Sequence, residues 1–147
     1  MEVMKNKKII IAGPCSISSK KELNDTFINI YDKVDFFRCG IWKARTNFNH
    51  FQGIGEKGLV WLSELKKKYQ TPIAIEVGTP QHVEKALKHN INIFWIGART
   101  TVNPFYVQEI CECVRGHEIE IWIKNPIYPD KDLWIGNNIN LTGNILV

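Results

Sequence analysis

Five short apolar runs recur along the chain, and each leads into a stretch with helical periodicity. They are "KKIIIAGP" (7–14), "VDFFRCGIW" (34–42), "PIAIEV" (72–77), "INIFWIGAR" (91–99) and "IEIWIKNP" (119–126). Runs of this length bounded by glycine, proline and asparagine read as strands. They are continuously apolar, which suits a parallel sheet covered on both faces. The intervening segments carry helix start signals. Ser19 and Glu22 have capping-box spacing, and Thr79-Pro80 and Asn103-Pro104 each place a capping side chain before a proline at the first helical position. Apolar faces follow: Leu23, Phe27, Ile30 and Tyr31; Leu59, Leu62, Leu65 and Tyr69 between Lys57 and Tyr69; Val83, Ala86 and Leu87; then Val107, Ile110, Cys111 and Val114 up to Gly116, the expected stop. "DLWIGNNINL" (132–141) opens a fifth helix.

Strands alternating with helices imply a parallel sheet with crossover connections. Two architectures compete, an open doubly wound sheet and a closed eight-stranded barrel. A G-x-G-x-x-G spacing occurs at Gly53, Gly55 and Gly58, but it follows a long loop rather than a strand and so is weak evidence for a dinucleotide fold. The polar residues favour the barrel. Cys15, Arg38, Lys43, Glu76, Arg99 and Lys124 each fall at or just past a strand's C-terminal end, the face where barrels build their sites. A barrel of about 250 residues takes about 31 per unit, so 147 residues hold between four and five units. The fold expected is α/β, an incomplete (β/α)8 barrel with about the first five strands and four helices.

Composition excludes several classes. No apolar run approaches the roughly 20 residues that cross a bilayer, and "IIIAGPCS" is too short for a signal-peptide core, so a cytoplasmic protein is expected. The net charge of +4 comes from scattered lysines, without the aromatic-interleaved basic stripe of a nucleic-acid surface. Cys15, Cys39, Cys111 and Cys113 form no C-x-x-C, and reduced thiols are expected.

Arg38, Lys43, Arg45, Arg99 and Lys124 would repel one another at one empty rim, so their clustering points to a polyanionic occupant. Arginine grips phosphate or carboxylate bidentately, and lysine acts as a mobile point charge. Cys15 can be an inert thiol, a ligand of a divalent metal or a nucleophile, although no histidine lies near it in sequence. Glu76 can orient a lysine, orient a metal-bound water or close an internal salt bridge. His82 and His89, seven apart on one helix, read as solvent-facing, and neither they nor His50 and His117 are assigned a role.

In order along the chain stand "AGPCSIS" (12–18), "FRCGIWKARTNFNHFQGIGEKGLVWL" (37–62), "IEV" (75–77), "WIGARTTVNPF" (95–105) and "WIKNP" (122–126). This set resembles the 3-deoxy-7-phosphoheptulonate (DAHP) synthase family, in the branch often fused to a chorismate mutase domain. The 3-deoxy-octulosonate 8-phosphate synthases share the barrel but lack the W-K-x-R-T loop, and rank second. The resemblance implies that phosphoenolpyruvate condenses with erythrose 4-phosphate at the opening of the shikimate route. It implies that Arg38, Lys43, Arg99 and Lys124 hold phosphoenolpyruvate, with Lys43 and Lys124 the catalytic lysines. Arg45 and Thr46 would take the sugar phosphate, Gly97 and Ala98 would bring backbone amides to the phosphate, and Cys15 would be one ligand of a divalent metal (Mn, Fe, Co or Zn).

The sequence departs from the family at Ala44, where a proline is usual, and at Asn47, where serine is common. The family's other metal ligands, a histidine, a glutamate and an aspartate, and a further arginine belong to later strands. Residues 1–147 are therefore expected to be the N-terminal portion of one barrel domain, inactive alone. Self-association or pairing with a C-terminal half is expected. A half-barrel remnant or assembly subunit without catalysis is the alternative of a different class.

Overall fold

The computed structural model describes residues 8–45, 47, 49–139 and 144–146, with backbone only for 138–139 and 144–146. Strand and helix alternate throughout: β1 (Ile11–Ala12), α1 (Lys20–Ile30), β2 (Phe36–Cys39), α2 (Glu56–Tyr69), β3 (Ile73–Val77), α3 (Pro80–Lys88), β4 (Ile93–Ile96), α4 (Pro104–Val114), β5 (Glu120–Ile123), α5 (Lys131–Ile139) and β6 (Asn144–Leu146). This is one strand and one helix more than the expected five and four. The extra helix is the one opened by "DLWIGNNINL". The strand was not anticipated, because three residues carry too little pattern.

The local signals act as their chemistry dictates. Ser19 accepts from the Glu22 N–H at 3.1 Å, while the Glu22 carboxylate bonds the N–H and hydroxyl of Ser18, one residue upstream of the expected partner. Thr79 accepts from the His82 N–H ahead of α3, and Asn103 accepts from Phe105 and Tyr106 ahead of α4. Each satisfies N–H groups that have no partner within the helix. Gly116 follows α4 with φ at +81°.

Among the described residues the six strands are all parallel and lie in the order β1-β2-β3-β4-β5-β6. A doubly wound sheet reverses its strand order at a switch point; this one steps one way throughout, as a barrel wall does. The helices lie on one face. Leu23 and Phe27 of α1, Leu59 and Leu62 of α2, Val83 of α3 and Ile110 of α4 join Phe37, Ile75, Phe94 and Ile121 of the strands in one core. The other face holds a smaller cluster of Phe36, Ala74, Ile93, Trp95 and Trp122, with no helical residue in it. Cover on both faces is thus corrected: among the described residues helices supply one face only. Counting by twos, the second face continues from Phe36 to Arg38, from Ala74 to Glu76 and from Trp122 to Lys124, so its polar groups crowd the C-terminal ends of the strands. Ile9, Ile10 and Ile11 stand exposed on the β1 edge at 46%, 52% and 43%. No helix among the described residues is long and apolar enough to cross a membrane.

Candidate active site

Backbone ties between neighbouring strands place the polar side chains. The Lys124 N–H donates to the Ile96 carbonyl at 3.2 Å, extending the β4–β5 ladder by one residue and delivering Lys124 to the rim. The Lys43 N–H donates to Gln52 at 2.8 Å and the Gly55 N–H to Ile41 at 2.9 Å, closing the loop between β2 and α2 at its base. Inside that loop Asn47 makes an Asx turn, its Oδ1 accepting from the Asn49 N–H at 2.9 Å. An amide at a position where the family commonly has serine therefore still shapes the turn.

Three of the five cations meet. The Arg38 Cζ, Lys124 Nζ and Lys43 Nζ lie 5.3, 5.6 and 5.9 Å from the centroid of the Trp95 ring. The Lys43 Nζ also binds Glu76 Oε2 at 2.6 Å, with side-chain exposures of 8% and 16%. The contact is an internal salt bridge that also orients a lysine, two of the roles open to Glu76. The carboxylate has room because residue 97 is glycine: a Cβ there would stand 2.3 Å from Glu76 Oε1. Gly40 serves the same end at β2, where a Cβ would meet the Cys15 carbonyl oxygen at 1.9 Å and the Lys43 Cε at 2.5 Å.

Two clefts flank the cluster. One, of about 420 Å³, is lined by Ile9, Ile11, Arg38, Trp95, Trp122 and Lys124, among others. The second, of about 550 Å³, is lined by Lys43, Glu76, Trp42, His82, Arg99 and Tyr106, among others. Lys43 and Glu76 belong to the second cleft, and Arg38 and Lys124 to the first, which the Trp95 ring also lines. Arg99 is exposed, on the turn in which the Gly97 carbonyl accepts from the N–H groups of Thr100 and Thr101. Gly97 and Ala98 begin that turn. Arg45 lines neither cleft; it is exposed and its Nε reaches the Phe51 carbonyl at 3.4 Å. Thr46 lies outside the described residues. Of the five cations, Arg38, Lys43 and Lys124 gather around the Trp95 ring, Arg99 shares the second cleft with Lys43, and Arg45 is turned into its own loop.

His82 is the residue whose place differs most from expectation. It is half-buried, its ring stacked on Trp42 at 4.1 Å and 1°. Its Nδ1 accepts from the Gly78 N–H at 3.2 Å, which puts the proton of the neutral ring on Nε2. Burial, helped by the Lys85 charge, pushes its pKa down to about 4. The solvent-facing assignment failed because Trp42, forty residues upstream, caps that side of α3. Burial also pushes the thiols of Cys39 and Cys111 up to about 12 and 11, so both are inert at neutral pH.

Cys15 is an exposed thiol on the loop after β1, and that loop is bonded to β2 through Gly40. Among the described residues no group of three His, Cys, Asp or Glu side chains is placed to hold a metal ion. A single thiolate does not make a closed site. The donor set among the described residues does not fit a metal by itself.

The sequence between residues 3 and 126 matches the model of the DAHP synthetase I family. This chain belongs to the DAHP synthetase I family. A phospho-2-dehydro-3-deoxyheptonate aldolase of Thermotoga maritima is 37% identical over 95 residues, which are 64% of this chain and 28% of that relative. A 2-dehydro-3-deoxyphosphooctonate aldolase of Acinetobacter baumannii is 32% identical over 80 residues, covering 49% of this chain and 28% of its own length. The solved DAHP synthase of T. maritima superposes with a TM-score of 0.76 at 24% identity, covering 94% of this chain and 39% of that one. A truncated form of the T. maritima enzyme gives 0.70 at 25% identity over 94% and 49%. The chain thus spans less than a third of the curated relatives it matches. Family and fold agree with the one-way strand order.

Proposed function

We propose that this chain supplies the phosphoenolpyruvate-binding part of a DAHP synthase site, condensing phosphoenolpyruvate with erythrose 4-phosphate to a seven-carbon acid phosphate. The carrying observation is the approach of Arg38, Lys43 and Lys124 to one ring, with Glu76 offsetting only one of the three charges. Phosphoenolpyruvate carries a phosphate and a carboxylate on one carbon, which matches a guanidinium fork beside two mobile ammonium groups. In this reading Arg38 and Lys124 take one anionic group, Lys43 and Arg99 take the other, and Gly97 and Ala98 present the turn on which Arg99 is carried. Held there, the enol carbon attacks the sugar aldehyde, water adds at the substituted carbon and inorganic phosphate leaves. Orientation of two bound reactants supplies much of the rate. Arg45 and Thr46 are assigned to the sugar phosphate on the resemblance alone, and Cys15 is a single prospective metal donor.

Residues 1–147 are read as the N-terminal portion of one barrel domain. Exposed isoleucines on the β1 edge favour pairing, either with a second copy or with a C-terminal half. The four free cysteines accord with a cytoplasmic setting. The chain alone is expected to give no turnover. An eight-carbon synthase, which would draw on a five-carbon aldose phosphate, is the second reading, favoured by the A. baumannii relative. The Trp42–Thr46 loop motif ranks it lower.

Calorimetric titration of the 147-residue chain with phosphoenolpyruvate tests the proposal. Saturable binding is expected, weakened about tenfold or more by Lys124→Met, since a charge-assisted hydrogen bond carries about 1.5–3 kcal/mol. Absence of saturable heat, or a Lys124→Met chain that binds as tightly as wild type, refutes it.

A further inference from the structure

Trp95 sits at the centre of the rim, yet nothing in the resemblance assigns it a role. It is 3% exposed on β4, opposite Glu76 of β3 and Trp122 of β5 in register. Its Nε1–H is buried and has no hydrogen-bond partner among the described residues. A buried tryptophan normally places that N–H against an acceptor. Here the ring is set instead by apolar neighbours, Phe36, Ala74, Ile93 and Trp122, and its π surface is what the surrounding polar groups use. Three cations, Arg38 of β2, Lys43 of the loop that follows β2 and Lys124 at the end of β5, lie within 6 Å of its centroid. The Nε of Arg38 is likewise buried and unpartnered among the described residues.

Like charges gathered around an empty pocket repel one another, and Glu76 neutralises one of the three. The negative face of an indole ring attracts cations without satisfying them as a carboxylate would. It compensates part of the repulsion, yet leaves each N–H free for a ligand. An acid in the same place would bind the cations and compete with the incoming anion.

We propose that Trp95 is a positioning residue of the anion site: its indole face gathers Arg38, Lys43 and Lys124 and keeps the empty rim in the form that receives a phosphate- or carboxylate-bearing ligand. This rests on the reading of the rim as an anion site, but not on which anion binds there.

The test uses the full 147-residue chain, its Trp95→Phe and Trp95→Leu variants, and two probes, phosphoenolpyruvate and inorganic phosphate. Proton NMR reads the ε-methylene signals of Lys43 and Lys124, assigned through Lys43→Arg and Lys124→Arg. In wild type, ring current displaces them upfield. Trp95→Phe reduces the displacement and Trp95→Leu abolishes it. Anion affinity falls in the same order, about threefold and about tenfold, as expected for a weaker and then an absent π face. A merely structural tryptophan would lower stability without ordering affinity in this way. Should Trp95→Leu not fold, the phenylalanine variant still decides. Undisplaced lysine signals in wild type overturn the proposal. So does variant affinity equal to that of wild type, or failure of wild type to bind either anion. Binding of inorganic phosphate with no preference for phosphoenolpyruvate would defeat the proposed function while leaving Trp95 to be judged on phosphate.

Discussion

Replacing Glu76 by glutamine keeps the shape of the side chain and removes its charge. Lys43 is then left 8% exposed against a neutral acceptor, with Arg38 and Lys124 gathered on the same ring. Breaking a buried ion pair by removing one partner costs about 3–5 kcal/mol. The glutamine oxygen still accepts from the ammonium, and the pair is not fully dry, so about 2–3 kcal/mol is the expected loss. For a chain of this size that lowers the melting temperature by about 4–12 °C, read by circular dichroism at neutral pH. The Lys43→Met/Glu76→Leu double variant should recover most of the loss, giving a coupling of about 1.5 kcal/mol or more in a double-mutant cycle. Inorganic phosphate should stabilise Glu76→Gln more than wild type, because the freed lysine binds it. A Glu76→Gln variant that melts within about 1 °C of wild type, or a coupling below about 0.5 kcal/mol, would refute the view that Glu76 holds Lys43 in the empty site.

Gly97→Ala should act through the same pair, since its Cβ would stand 2.3 Å from Glu76 Oε1; a loss of about 1–3 kcal/mol is expected in denaturant titration, and an unchanged midpoint would contradict it. His82 has a folded pKa near 4, against 6.5 when unfolded. The unfolded chain therefore binds the extra proton between those values, and stability falls as pH drops through that window. The loss is about 1–2 kcal/mol after allowance for partial exposure, and a His82→Asn chain should lack it. Identical pH profiles for the two would refute the assignment. At pH 8 a thiol reagent should modify Cys15 in the native chain and reach Cys39 and Cys111 only on unfolding, because burial holds those two near 12 and 11; early modification of Cys39 would contradict the packing.

What could be read in the sequence was local. Thr79-Pro80 and Asn103-Pro104 announce helix starts through chemistry confined to four residues, and both helices begin there. Arg38, Glu76 and Lys124 could be placed at strand ends because each follows an apolar run. The division of the strands into two faces was harder to see. "IFWI" is buried at all four positions, so no alternation separates Trp95 from Phe94. Only the register with Glu76 puts Trp95 beside the cations. His82 was misplaced for a related reason, as its partner Trp42 comes from another unit. The turn of Arg45 toward Phe51 depends on how a long loop closes, which no short spacing encodes.

A crystal structure of the 147-residue chain soaked with phosphoenolpyruvate tests the central claim most directly. The account predicts ligand density on the Trp95 side of the rim, with phosphate or carboxylate oxygens within hydrogen-bond distance of Arg38, Lys43 and Lys124. Density for the ligand on another surface, with those three side chains pointing apart, would contradict it.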